Sequence, residues 1–260
     1  MKFLKQQIKR SFSRAATSYD TVAHFQRAVA NELILSTQPY LMPIKSEDCN
    51  IDLGCGTGYL TTQLKQQFPN AQYVGVDLAL PMLNQAKNTL HATTHWINAD
   101  ADHLPIPNES CDRVFSSLML QWLPDTSQTF NEIHRILKPG GQCFFTTLIS
   151  PTLPELAQAW KMAASQYPTQ QFIQQNTLRN TYHNLYEQFF QIKTYTNFYD
   201  HPLDLIYELK TLGANNANPA RAQGLCSAKK LIGVCKNYEH FRNHQGYPAT
   251  YTVYFGVLQK

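Results

Sequence analysis

The sequence predicts an α/β fold: a mostly parallel sheet with helices on both faces and a mainly helical cap. Three observations predict it. Strand-like and helix-like segments alternate from 48 to 150, a glycine turn joins the first strand to the first helix, and a fifth, fully buried strand is expected to close the series at 142–148. A βαβα succession of this kind lays its strands side by side and parallel, because each return crossover is a helix.

The elements follow in order. Val22, Phe25, Val29 and Leu33 recur at helical spacing and predict an N-terminal helix. Residues 50–53 form a short apolar strand, and Leu60, Leu64 and Phe68 mark one face of the helix after it. A second strand is expected at 73–77. Pro81 then suits the first turn of a helix that turns Met82, Ala86 and Leu90 inward. Residues 94–98 and 113–117 read as the third and fourth strands. Asp125, with Gln128 three residues on, has the pattern of a capping box, and Phe130, Ile133 and Leu137 line the helix that it opens. Lys138-Pro-Gly-Gly141 is expected to stop that helix before the fifth strand at 142–148. Beyond it, 152–189 reads as helical and 191–199 alternates like a strand. Residues 202–240 read as helical with a break at 213–219, and a last strand falls within 249–258. The layout expected is one domain over 1–260: a helical cap at 1–40, a core at 48–150, a largely helical substrate-side region at 151–248 and the final strand.

Composition narrows the function classes. With 43% hydrophobic residues the chain can bury a sizeable core, and a net charge of +4 is too mild to argue for nucleic acid. No run approaches the roughly 18 apolar residues of a membrane span. The first nineteen residues carry Lys2, Lys5, Lys9, Arg10 and Arg14 and no acid. That fits a targeting segment or a basic amphipathic helix of the mature protein; Phe3, Leu4, Ile8 and Phe12 at helical spacing favour the helix. The six cysteines include no Cys-x-x-Cys pair and no zinc-ligand spacing, so reduced thiols, no metal and a cytoplasmic location are expected.

The chemistry centres on Asp52-Leu-Gly-Cys-Gly-Thr-Gly58. Dinucleotide sites use Gly-x-Gly-x-x-Gly so that a pyrophosphate rests on the helix N-terminus. Here the spacing is Gly-x-Gly-x-Gly behind an acid, which would repel pyrophosphate but suits the cationic α-amino group of S-adenosylmethionine. Asp77 ends the second strand, where a carboxylate accepts both ribose hydroxyls, and Asp100 follows the third, where it accepts from an adenine amino group.

These stretches, with Asp100-Ala-Asp-His-Leu-Pro105 and Leu137-Lys-Pro-Gly-Gly141, resemble the signature motifs of class I S-adenosylmethionine-dependent methyltransferases over roughly 48–148. The resemblance implies a Rossmann-like, seven-stranded sheet. It also implies that Gly54, Cys55, Gly56 and Gly58 line the methionine part, Asp77 and Leu78 hold the ribose, and Asp100 and Ala101 face the adenine. Ser116, Ser117 and Leu118 would close the pocket beneath the methyl group, with Arg14, Tyr19 and Met82 as further cofactor candidates.

A narrower resemblance covers nearly the whole chain. Phe12-Ser-Arg-Ala-Ala-Thr-Ser-Tyr-Asp20 with Gln26 and Arg27, Phe145-Thr-Thr-Leu148, Leu153-Pro-Glu-Leu156, Trp160, Leu209-Lys-x-x-Gly-Ala214 and Tyr247-Pro-x-Thr-Tyr251 are similar to the malonyl-[acyl-carrier protein] O-methyltransferases of biotin synthesis. It implies methylation of the free carboxylate of a malonyl thioester, carried on acyl carrier protein or coenzyme A, with no metal. Such a carboxylate is ionised at neutral pH, its pKa lying near about 4, so no general base is required. The site has to hold oxygen, methyl carbon and sulfur in line.

Tyr19 is a candidate lid residue near the sulfonium, or a tyrosine that only caps the fold. Arg221 is the candidate clamp for the substrate carboxylate, or a surface arginine; the loop at 215–219 departs from the family pattern and leaves its register open. Trp122 walls the substrate pocket or belongs to the core. Between Glu208 and Glu239 there is no acid, while Lys210, Arg221, Lys229, Lys230 and Lys236 are basic, which suits an acidic carrier protein or a solvated face. The alternatives to this reading are a methyltransferase for a quinone or another small acid, and a non-catalytic module that only binds S-adenosylmethionine. An oxidoreductase is disfavoured by the glycine spacing.

Overall fold

The computed structural model describes residues 2–90, 94–163, 171–214 and 228–260. Arg221, Cys226 and the departing loop at 215–219 lie outside the described residues.

Five parallel strands form the centre: β1 (Cys49–Leu53), β2 (Gln72–Asp77), β3 (Thr94–Asn98), β4 (Cys111–Ser117) and β5 (Leu137–Leu148). Two further strands, β6 (Tyr186–Tyr199) and β7 (Tyr247–Gln259), complete a seven-stranded sheet in the order β3-β2-β1-β4-β5-β7-β6. β7 runs antiparallel between β5 and β6. From β1 the chain winds one way through β2 and β3, then crosses to the other side through β4 and β5. The strand order therefore reverses between β1 and β4, and the carboxyl ends of those two strands open the crevice where ligands bind in such sheets.

The helices cover two faces. α3 (His24–Thr37), α4 (Tyr59–Gln67) and α7 (Pro154–Met162) pack on one face through Val29, Leu33, Leu60, Leu64 and Trp160 against Phe115, Phe144 and Phe255. α6 (Thr126–Ile136) packs on the other through Phe130 and Ile133 against Ile51, Val114 and Phe145. The consecutive pair Phe144 and Phe145 shows the period of two directly: one stacks on Phe115 at 5.0 Å, the other meets Phe130 edge-on at 5.4 Å. α5 (Leu80–Thr89) has Pro81 in its first turn and buries Met82, Leu83 and Ala86. Before these lie α1 (Lys2–Ala15) and the short α2 (Tyr19–Val22); α8 (Gln175–Arg179), α9 (Pro202–Thr211) and α10 (Ala228–Tyr238) complete the described helices. None of the described helices is long and apolar enough to cross a membrane.

Four expectations need correction. Lys138–Gly141 does not form a stop loop: α6 ends at Ile136 and those residues already belong to β5, where Leu137 pairs with Cys111 across a register shift. Asp125 does cap α6, its Oδ1 accepting the Ser127 N–H at 2.9 Å, but Gln128 donates to the Asp102 carbonyl instead of closing a box. The stretch 152–189 is helical only in part, because β6 already begins at Tyr186. β7 begins at Tyr247, two residues before the expected strand, extended by pairing with Tyr199 and Phe198.

Candidate functional site

Three hollows meet at the crevice, and Tyr19 lines all of them. The first lies over the ends of β1, β2 and β3. It is lined by Gly54, Gly56, Asp77, Leu78, Met82, Asp100, Ala101, Ser117, Leu118 and Trp122, with α1 closing it through Lys5, Ile8 and Phe12. The second sits at the glycine turn, lined by Asp52, Gly54, Cys55, Gly56, Thr57 and Ser117 with Asp20, Gln26 and Arg27 opposite. The third is mostly apolar and shares Phe12, Leu118 and Trp122 with the first.

The turn itself is built for close approach. Gly56 has φ +55°, and a Cβ there would meet nothing within 4 Å. Its N–H donates to Asp77 Oδ2 at 2.9 Å, while Asp77 Oδ1 accepts the Ala79 N–H at 2.7 Å, so Asp77 braces the turn as well as facing the hollow. Burial raises the Asp77 pKa and those two N–H groups oppose the rise.

Asp52 is 2% exposed and accepts the Thr61 hydroxyl at 2.5 Å. Burial pushes its pKa up to about 7, with the Thr61 bonds opposing and Asp77 adding to the rise. At the rim, Asp20 Oδ1 accepts from Thr57 Oγ1 at 3.0 Å and Arg27 Nη2 at 3.1 Å. Arg27 Nε is buried without a partner. A carboxyl and a guanidinium on opposite sides of one hollow fit an amino acid zwitterion, and the bare backbone at Gly56 fits the body of the ligand.

At the other end Lys5 Nζ lies 2.7 Å from both Asp100 oxygens and also bonds Asp102. The acid expected to face adenine is thus held by a lysine of the N-terminal helix. Leu118 has φ +51°, a conformation that costs a non-glycine residue about 1–3 kcal/mol. It is held there by its N–H on Thr146 and by Gln121 Nε2 on its carbonyl at 2.7 Å. That places the Leu118 side chain where the first and third hollows join. Trp122 meets Phe12 edge-on at 5.1 Å in the same wall.

Three residues expected at the cofactor lie elsewhere. Arg14 is exposed and lines none of these hollows, since Ser11 and Ala15 take the buried face of α1. Ser116 points away from them and donates to the Leu53 carbonyl at 2.9 Å, as the two-residue period of β4 requires when Ser117 faces in. Gly58 also lines none of the three: a Cβ there would sit 3.0 Å from Ala86, so this glycine serves helix packing. Lys5, Asp20 and Arg27 were not singled out as cofactor-site residues. For Lys5 the signal was present, because it shares a helix face with Ile8 and Phe12.

A parallel sheet with one antiparallel strand inserted beside its edge strand, with room at the turn for a phosphate-free amino acid ligand, defines a class: this is a class I S-adenosylmethionine-dependent methyltransferase. Residues 51–145 match the methyltransferase domain family. The chain is 36% identical over 254 residues to the malonyl-[acyl-carrier protein] O-methyltransferase of Hahella chejuensis, covering 96% of this chain and 88% of that one. It belongs to the malonyl-[acyl-carrier protein] O-methyltransferase family. It is also 36% identical over 258 residues to the biotin biosynthesis bifunctional protein BioHC of Cellvibrio japonicus, of which it spans 50%. Among solved structures, a Bacillus halodurans protein described as a methyltransferase shares the fold with a TM-score of 0.63 at 14% identity, covering 90% of this chain and 99% of that one.

One measurement tests the placement of the amino group. An ammonium beside Asp52 favours its ionised form. Between the ordinary carboxyl pKa, about 4, and the raised value of about 7, cofactor binding should therefore expel a proton. Affinity should rise with pH up to about 7 and level off above it. Calorimetry in buffers of different ionisation heat reads the proton directly, and Asp52→Asn should abolish its release. No release from the wild type would remove the amino group from Asp52.

Proposed function

We propose that the protein moves a methyl group from S-adenosylmethionine to the free carboxylate of a malonyl thioester held on acyl carrier protein. The observation that carries this is the third hollow: it meets the cofactor hollows at Tyr19, and no acidic or histidine side chain lines it among the described residues. An acceptor that needed deprotonation would call for such a base; a malonyl carboxylate does not. The near full-length likeness to the Hahella chejuensis enzyme supports the same substrate.

S-adenosylmethionine supplies an electrophilic methyl group on a sulfonium. The protein's part is positioning. Asp77 and Gly56 hold the ligand against the turn, and Asp52 and Arg27 take its amino and carboxylate groups. Desolvation, then the Asp77 and Asp20 carboxylates, raise the Tyr19 pKa well above its ordinary value, so its hydroxyl stays protonated and donates. The carboxylate oxygen bonds the methyl carbon as the carbon–sulfur bond breaks and its electron pair goes to sulfur; no proton moves. Trp122, Phe12 and Leu118 exclude water. Arg221 is the charged partner proposed for the carboxylate, on the strength of the family resemblance. Esterification removes a charge that an apolar elongation pocket would reject.

Lys210, Lys230 and Lys236 are exposed on and beside α9 and α10, in the acid-free stretch 209–238. An acidic carrier should dock there. The test follows the mass gain of one methylene on malonyl, succinyl and acetyl thioesters. Wild type should methylate the malonyl form, with coenzyme A as an alternative handle. Lys229→Glu with Lys230→Glu should slow malonyl-carrier methylation sharply and leave malonyl-pantetheine, too small to reach the strip, unaffected. Salt should shrink the difference, because exposed charges are screened within about 10 Å at about 0.1 M. Equal losses on both substrates would mean that the double change damaged the fold or the pocket, and no loss on either would move the docking surface elsewhere.

A further inference from the structure

We infer that the side-chain amide of Gln26 is the neutral donor that orients the substrate carboxylate at the cofactor end of the acceptor hollow. The inference rests on the malonyl reading above.

Gln26 lies on α3 and lines both the second and the third hollow, beside Tyr19. It thus stands where the methionine end of the cofactor site meets the acceptor pocket. Its amide makes no hydrogen bond among the described residues, and its Oε1 is buried without a partner, which leaves Nε2 as the accessible end. Nε2 is thus a donor that none of the described residues engages, and a carboxylate, which only accepts, can take its N–H.

Two other polar groups of the third hollow are engaged. Gln121 donates to the Leu118 carbonyl at 2.7 Å and accepts from Thr147 Oγ1 at 3.2 Å. Tyr251 lies beside Tyr199 and the Glu208 carboxyl, which would repel an anion. No charged side chain lines this hollow among the described residues. Among the described residues a carboxylate entering it finds only neutral donors, and an anion desolvated without hydrogen bonds is strongly disfavoured. Gln26 Nε2 and the protonated Tyr19 hydroxyl are the two groups at the junction.

The chemistry favours this choice. The Arg221 guanidinium proposed above supplies charge to the carboxylate, and the amide supplies its orientation. One amide N–H fixes the plane of the carboxylate and leaves an in-plane lone pair on the other oxygen free for the methyl carbon. Orientation of this kind is what an in-line transfer without a base requires.

The test uses malonyl-pantetheine and the full chain. Gln26→Leu should lower kcat/KM by about 10- to 150-fold, the span of one hydrogen bond to a charged group. Its affinity for S-adenosylmethionine should fall far less than its turnover. Gln26→Glu should be worse at neutral pH, because two carboxylates then face each other. Its deficit should shrink as pH falls toward the glutamate pKa, about 4.3, a dependence that a purely structural role would not produce. Wild-type turnover in Gln26→Leu, or cofactor affinity falling in step with turnover, overturns the assignment and leaves the malonyl reading intact. Absence of methyl ester from wild type with every malonyl thioester overturns both together.

Discussion

Gly56→Val is expected to abolish S-adenosylmethionine binding while the chain still folds. The reason is where the new side chain goes. The Cβ position at Gly56 has no protein atom within 4 Å and faces the first and second hollows, so the added atoms fill the ligand's place and collide with nothing in the fold. The backbone also objects: φ is +55°, where a β-branched residue is a steric outlier. That strain costs about 1–3 kcal/mol and loosens the Gly56 N–H from Asp77. Calorimetry should show no binding heat, and urea unfolding should show a stable fold with a modestly lowered midpoint. Wild-type affinity in this variant would remove the glycine turn from the cofactor site.

Arg113→Met is expected to have the largest effect on stability, about 3–5 kcal/mol, the usual cost of breaking a buried ion pair from one side. Arg113 is 3% exposed in β4. Its Nη1 lies 2.7 Å from Asp48 Oδ2, and its Nη2 donates to the Met42 and Pro43 carbonyls at 3.0 and 2.9 Å. It therefore fastens the segment that leads from α3 into the first strand. Removal leaves Asp48 buried with the Lys45 N–H and the Lys138 charge to stabilise it, and without its ion-pair partner. In the native protein burial works to raise the Asp48 pKa, but the Lys45 N–H and Arg113 together hold it below the ordinary value. This contribution is present above the unfolded carboxyl pKa and is lost as pH falls through the lower folded one. The difference between variant and wild type should accordingly narrow in acid. Arg113 lines none of the three hollows, so cofactor affinity should survive. A variant within about 1 kcal/mol of wild type would show that the pair contributes little.

The sequence by itself determined the parallel core and the cofactor class. β1, β2, β3 and the turn at Gly54 to Gly58 were legible because local patterns decide them: continuous apolar runs, a carboxylate at a strand end, glycines where φ is positive. The outward placement of Arg14 and of Ser116 was not read from the sequence, although the helical and strand periods carry it. Other features depend on partners far along the chain. Lys138–Gly141 joins a strand because Gly140 N–H bonds the Lys260 carbonyl at 3.0 Å and Lys260 N–H bonds the Gly141 carbonyl at 3.0 Å, and no local signal announces that pairing. The insertion of β7 between β5 and β6 is likewise a matter of long-range ladders. At the site, Asp52, Asp77 and the glycines could be read in one stretch of chain. Only the tertiary structure brought Lys5 to Asp100, Arg27 to Asp20 beside the glycine turn, and Gln26 and Trp122 to the two sides of the acceptor hollow. Those contacts are set by how α1 and α3 pack over the sheet, and the burial of apolar faces that drives such packing is non-directional: it selects the helix face that is covered, and leaves the neighbours of each polar group to the fold as a whole.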